Sequence, residues 1–270
     1  MNFKKILKFI KSLRFILYLR NFFKIRAVAF LPPKTKDGFV SDFFFFDCKN
    51  KKNTKFIVTN FSSQVFFDKK IEEKIELVVY DLKGNKILNK KYNIKKHKTL
   101  EIDFAKLKLK NSQGSFFIFH HLSDYEELIS QRAYGAERGY AAYKGRNGIW
   151  NFMHANGLAC HKTKKGKINS LVSTSFFKNK YIPQLSFEDV SEFSLILNNP
   201  TLKNVSIEVK IFNKDWKLIE NKMEKLKKFQ THIFSFYSND AVFAEVSSNI
   251  IFCRPIIRKI YQSGFDMLHG

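Results

Sequence analysis

From Phe39 onward, short apolar runs alternate with clusters of turn residues, and helical spacing largely disappears. Phe43-Phe44-Phe45-Phe46 is followed by the polar stretch Asp47 to Asn53, then by Phe56-Ile57-Val58-Thr59. Ile75 to Tyr80, a turn at Asp81-Leu82-Lys83-Gly84-Asn85, and Lys86-Ile87-Leu88 read as strand, turn and return strand, the pattern of a β-hairpin. Thr99 to Phe104 and Ser115 to Phe119 supply further strands.

The second half repeats this order. Leu195-Ile196-Leu197-Asn198 matches Ile57-Val58-Thr59-Asn60, and Ile207 to Phe212 matches Ile75 to Tyr80. Thr231 to Phe236 matches Thr99 to Phe104 at the same 132-residue offset as the preceding pair. Ile149-Trp150-Asn151-Phe152-Met153-His154 reappears as Gly264-Phe265-Asp266-Met267-Leu268-His269, each copy lying downstream of an arginine, Arg138 or Arg254. A duplicated unit sets the architecture before any residue is assigned chemistry. The pattern predicts a mainly β protein of two tandem antiparallel β-sandwich units, 40–157 and 175–270, joined by the Lys-, Ser- and Thr-rich run Lys162 to Ser175.

Asn198 through Ile257, with Val246-Ser247-Ser248-Asn249-Ile250-Ile251 and Arg254-Pro255-Ile256-Ile257 closing it, resembles the sensory rhodopsin transducer family in strand order and in the turn before an apolar strand. The resemblance covers roughly the last third of the chain, carries no catalytic motif, and implies a small β-sandwich used for binding.

Residues 1–29 form a separate block. Lys4, Lys5, Lys8, Lys11, Arg14, Arg20, Lys24 and Arg26 are its bases and it has no acid. Ile6, Ile10, Leu13 and Leu17 recur at helical spacing, and Pro32-Pro33 ends the stretch. This predicts a basic amphipathic N-terminal helix. Its apolar runs are too short to span a bilayer, and a signal peptide fits poorly. Bases distributed along the whole segment favour a helix lying on an anionic membrane surface over one docked on the protein's own core. The corresponding location is cytoplasmic, peripheral on the inner face of the membrane.

Composition adds two constraints. Hydrophobic residues are 44% of the 270, enough for a real core, and 31 are phenylalanine. The net charge of +24 attracts polyanions such as anionic lipid, nucleic acid or acidic glycans, although an AT-rich coding bias accounts for part of the lysine excess. Cys48, Cys160 and Cys253 form no C-x-x-C pair, which argues against a disulfide framework and fits a reducing compartment.

Aligning the two copies exposes residues 120–137 as an insertion in the first unit, and loops added to a rigid scaffold are where function is most often placed. Arg132, Tyr134, Glu137, Arg138, Tyr140, Trp150, Asn151, His154 and Asn156, with Tyr143 beside them, are the candidate ligand-binding residues: rings for a flat polar ligand such as a glycan, arginines for its acidic groups. A metal site would use His120, His154 and His161, but the spacing is not diagnostic, and adjacent His120 and His121 point to opposite faces of a strand. No cofactor motif is present: phosphate-cradling and nucleophile-elbow patterns are absent.

The leading expectation is a non-enzymatic binding protein, peripheral to an anionic membrane, that takes a polar or glycan-like ligand. A metal-dependent hydrolase or glycan-modifying enzyme using His120, Glu137 and His154 is the second reading. Non-specific nucleic-acid binding is the third, with lysines dispersed and no recognised motif. The Arg138…His154 and Arg254…His269 pairs are expected to close each unit structurally; the alternative is a shared site between the units.

Overall fold

The computed structural model describes residues 38–60, 73–121, 139–145, 147–154, 158–163, 165–172, 174–250 and 253–270, with single positions at 10, 13, 15, 16, 19 and 63. The first unit carries β1 (Gly38–Asp42), β2 (Phe44–Asp47), β3 (Asn53–Thr59), β4 (Glu73–Asp81), β5 (Lys86–Ile94), β6 (Thr99–Asp103), β7 (Gln113–His121), β8 (Gly139–Lys144) and β9 (Trp150–Met153). After β10 (Leu158–Thr163) and β11 (Ile168–Ser170) come β12 (Thr174–Tyr181), β13 (Glu192–Asn198), β14 (Val205–Phe212) and β15 (Leu218–Leu226). The last strands are β16 (Thr231–Tyr237), β17 (Phe243–Ile250), β18 (Ile256–Ile260) and β19 (Phe265–His269).

These strands build five antiparallel sheets, in the orders β2-β7-β4-β5, β6-β3-β8-β9, β1-β10-β11, β12-β17-β14-β15 and β16-β13-β18-β19. The mainly β character is as the sequence predicts. Two sandwiches joined by a linker is not the whole arrangement, and that expectation is corrected. Five sheets is the count of a five-bladed β-propeller, and the fifth, β1-β10-β11, includes much of the stretch read as a connection. There β10 pairs with β1 and β11 with β10, which sequence periodicity alone does not reveal. The N-terminal helix is not seen as an element: residues 1–29 lie outside the described residues apart from five single positions.

The phenylalanine runs follow from layers on both sides of one sheet. In a strand, neighbouring side chains point to opposite faces, so a continuous apolar run requires cover on each. Phe44 stacks on Phe116 at 5.0 Å in its own sheet and meets Phe56 of the facing sheet edge-on at 5.2 Å. Phe117 points the other way, to Tyr80 at 5.9 Å and to Phe229 of the second unit at 5.7 Å. Cys160 of β10 is buried in the same cluster. Each such ring, once buried, contributes roughly 1.5–3 kcal/mol relative to exposure.

The second unit has its own core, in which Phe193 lies between Phe187 at 4.1 Å and Phe236 at 5.3 Å. Leu195 and Leu197 of β13 join that core, whereas Ile196 between them belongs to the first unit's cluster, as do Ile256 and Met267. The sheet β16-β13-β18-β19 therefore has its own core on one face and the first unit on the other. Polar contacts fix the joint: Arg258 pairs with Asp47 at 3.2 Å, and Thr231 N donates to Leu82 O at 3.0 Å. By contrast, β3 alternates buried and half-buried positions along its length, as in a sheet that the described residues cover on one face only.

Candidate ligand-binding face

That second, outer face of β6-β3-β8-β9 is where several candidate residues meet. In β8 the buried Ala141 and Tyr143 point inward, so Tyr140, Ala142 and Lys144 point outward. In β9, Met153 points inward, leaving Trp150 and Phe152 outward with His154 just beyond the strand. The register places Ala142 between Phe152 and Lys55, and Lys144 opposite Trp150. Ala142 is itself only 1% exposed, covered by these larger neighbours.

The rings on this face are held rather than loose. Tyr140 and His154 have ring centroids 4.0 Å apart. Lys55 Nζ lies 5.1 Å and Lys144 Nζ 6.0 Å from the Trp150 ring, within reach of a cation–π attraction. Lys55 also pairs with Glu101 at 2.7 Å, and that hydrogen bond holds the ammonium above its ordinary range. Phe152 is 59% exposed and Tyr140 44%. Contiguous exposed rings with charged groups at one edge suit a flat ligand that has both apolar and polar faces.

The other candidates separate. Tyr143 is buried, its hydroxyl donating to Phe45 O at 2.8 Å, which corrects its place among exposed rings. Asn151 points inward to the second unit: its amide donates to Asp266 at 3.0 Å and its Oδ1 accepts from Met267 N at 3.2 Å. Arg132, Tyr134, Glu137, Arg138 and Asn156 lie outside the described residues.

His120 and His154 are not brought together. His120 is on the inner face of β7, bonded through Nδ1 to the fully buried Glu73, with its Nε2 unpartnered. His154 is exposed on the outer face of the opposite sheet. His121 points the other way from His120 and bonds Glu76 at 3.0 Å; Glu76 also accepts from Lys162 of β10. Burial pushes the Glu76 carboxyl up, but the hydrogen bonds from Lys162, Asn89 and His121 together bring it below its ordinary value. His161 is buried in β10. Among the described residues no group of three or more His, Cys, Asp or Glu is placed to hold a metal ion.

Arg254 bonds both His269 and the Gly270 carbonyl, fastening the chain end, while its counterpart Arg138 is outside the described residues. Between the units a cleft of about 360 Å³ is lined by Lys52, Asn147, Glu192, Arg258, Tyr261 and Phe265 among others. Phe152, Lys55, Lys144 and Glu73 were not singled out from the sequence. The alternation Trp150-x-Phe152-x-His154 was the available signal for Phe152; pairing Lys55 and Glu73 with their partners needs the register of distant strands. Among the described residues, no helix is long and apolar enough to cross a membrane.

No protein-family model matches the chain, and comparison with curated proteins gives no match. Among solved structures, a glycosyl hydrolase family 2 member from Bacteroides cellulosilyticus is 10% identical with a TM-score of 0.18, over 85% of this chain and 25% of that one. A calcium-binding mutant of Bacteroides uniformis β-glucuronidase 2 is 10% identical with a TM-score of 0.23, over 90% of this chain and 27% of that one. The chain thus spans about a quarter of the length of these structures, and likeness at this level carries no argument about the site.

Proposed function

We propose that the chain is a non-enzymatic binding protein that takes a glycan-like ligand on the outer face of β6-β3-β8-β9. Tyr140, Trp150 and Phe152 would stack against the apolar face of sugar rings, and Lys55, Lys144 and Glu101 would meet hydroxyl or acidic groups. The observation that carries this reading is the grouping of the exposed Tyr140 and Phe152 with the half-buried Trp150 on a sheet face that no other described element covers. A binding role also accords with the resemblance of the last third to sensory rhodopsin transducers. The basic segment 1–29 would hold the protein at an anionic membrane surface.

Calorimetric titration with a panel of neutral and acidic oligosaccharides tests the ligand. Phe152→Ala and Tyr140→Ala should each weaken binding by a factor of about 5–30, the equivalent of roughly 1–2 kcal/mol. Binding to none of the panel, or equal binding by both variants, overturns the reading.

A further inference from the structure

The turn between β14 and β15 holds a residue that its backbone disfavours. Trp216 has φ +58°, in the left-handed region where a bulky side chain is an outlier, and its side chain is 56% exposed. Backbone strain and an indole more than half in water both count against the fold, and ring contacts with Phe243 and Phe212 offset them only in part.

The first unit shows what the turn itself needs. Gly84 lies at the same 132-residue offset. The two turns are closed by the same backbone bonds: Gly84 N to Asp81 O at 3.1 Å, and Trp216 N to Asn213 O at 3.0 Å. Glycine at φ +86° is relaxed there. It is also required, since the turn docks on the second unit and a Cβ on Gly84 would lie 2.5 Å from Lys228 O. Tryptophan at the equivalent position rules out a further unit docking on Trp216 in that way.

What remains is an outward-facing apolar tip. The Trp216 ring lies flat on Phe243, centroids 4.7 Å apart and 10° from parallel, with Phe212 at 5.9 Å. Leu218 and Ile219 follow it, 48% and 39% exposed. Neither aliphatic chain can hydrogen-bond, which makes them poor company for a sugar. Lys214 and Lys217 flank the ring with Asp215 between them, and Glu220, next after Ile219, is paired with Lys222 at 2.9 Å. An indole beside aliphatics and bordered by ammonium groups matches the headgroup boundary of an anionic bilayer, in a chain carrying +24 overall.

We propose that the β14–β15 turn is a membrane-contact site, with Trp216, Leu218 and Ile219 entering the boundary of an anionic bilayer and Lys214 and Lys217 against lipid phosphates. It uses residues separate from both 1–29 and the aromatic face of the first unit, and stands without the glycan reading.

The chain has two tryptophans, so Trp150→Phe leaves Trp216 as the sole indole reporter. Vesicles of phosphatidylcholine with phosphatidylserine should shift its emission to the blue, and brominated lipid should quench it. Trp216→Gly, which the Gly84 turn shows to be compatible with the fold, should melt no lower than the parent and bind those vesicles about tenfold more weakly. Replacing Lys4, Lys5, Lys8 and Lys11 by Gln in the full chain tests the N-terminal contact separately, and the Trp216 emission shift should survive it. Emission unmoved by anionic vesicles, vesicle affinity unchanged in Trp216→Gly, or a shift produced only by soluble oligosaccharides would each overturn the proposal.

Discussion

Asn151 and Asp266 occupy the same place in the two copies of the duplicated text, and in the folded chain they are hydrogen-bonded to each other at 3.0 Å. The contact extends along the two hairpins, Asn147 donating to Ser263 O and Met267 N donating back to Asn151. The hairpins of β9 and β19 are thus joined to each other through matching positions. The amide–carboxylate difference makes the joint work, because two carboxylates would repel. Asn151→Asp should destabilise the protein by about 1–3 kcal/mol in chemical denaturation, with much of the loss recovered in the double variant carrying Asp266→Asn.

Gly84→Ala should cost about 2–4 kcal/mol, combining a left-handed backbone with a clash against the Lys228 carbonyl. Trp216→Gly, the reverse change at the equivalent turn, should be neutral or stabilising by up to about 1 kcal/mol. Thermal melting of both variants checks the asymmetry; equal losses would refute it.

Asp47→Ala removes the buried acceptor shared by Lys52 and Arg258, both at 3.2 Å. The lost stability should be roughly 3–5 kcal/mol, since Arg258 is left charged and largely desolvated at the joint. A cycle with Arg258→Met should show strong coupling, the double variant costing less than the two single losses added.

Asp42 gives a pH signature. Burial raises its carboxyl from 3.8 to about 7, and its Oδ1 has no hydrogen-bond partner. The folded protein therefore keeps this proton up to about pH 7, whereas the unfolded chain releases it near pH 4. Unfolding releases a proton across that window, so this group lowers stability as pH rises through it. Asp42→Asn should come close to the parent near pH 4 and exceed it by roughly 4 kcal/mol at pH 8. His121, His232 and His269 are held below the usual histidine range, first by burial, and act oppositely in acid, stability falling as pH drops through that range. Urea denaturation of both proteins across pH isolates Asp42, because the histidines are common to each; a pH-independent difference would remove the assignment.

Phe116→Ala and Phe152→Ala separate core from face. Phe116 is fully buried among rings, and its loss should cost about 3–5 kcal/mol. Phe152 is exposed, and its loss should stay within about 0.5 kcal/mol while affecting ligand binding. Denaturation curves measure both.

Strand content, the duplication and the hairpin turns at Asp81 and Asn213 were legible because period-two patterning and turn chemistry are local. The phenylalanine runs announced burial but not by what: Phe116 faces the first unit's core while Phe117 faces Phe229 of the second. Tyr143 and Tyr140 looked alike in the text; only β8's place between β3 and β9 sends one hydroxyl to Phe45 and leaves the other ring 44% exposed beside His154. The stretch read as a connection became β10 and β11 because β1 supplied an edge for it.

What the sequence by itself determined is therefore a twice-written β unit, rich in phenylalanine and strongly basic, with its turns and alternation in place. Tertiary structure decided which face of each sheet is covered. Alternation fixes that two faces exist, but whether water, a second sheet or the other repeat lies against each depends on contacts between residues more than a hundred positions apart. The strand β9 presents an aromatic face at Trp150 and Phe152, whereas at the matching positions of β19 Phe265 is half-buried and Met267 buried against the first unit's cluster.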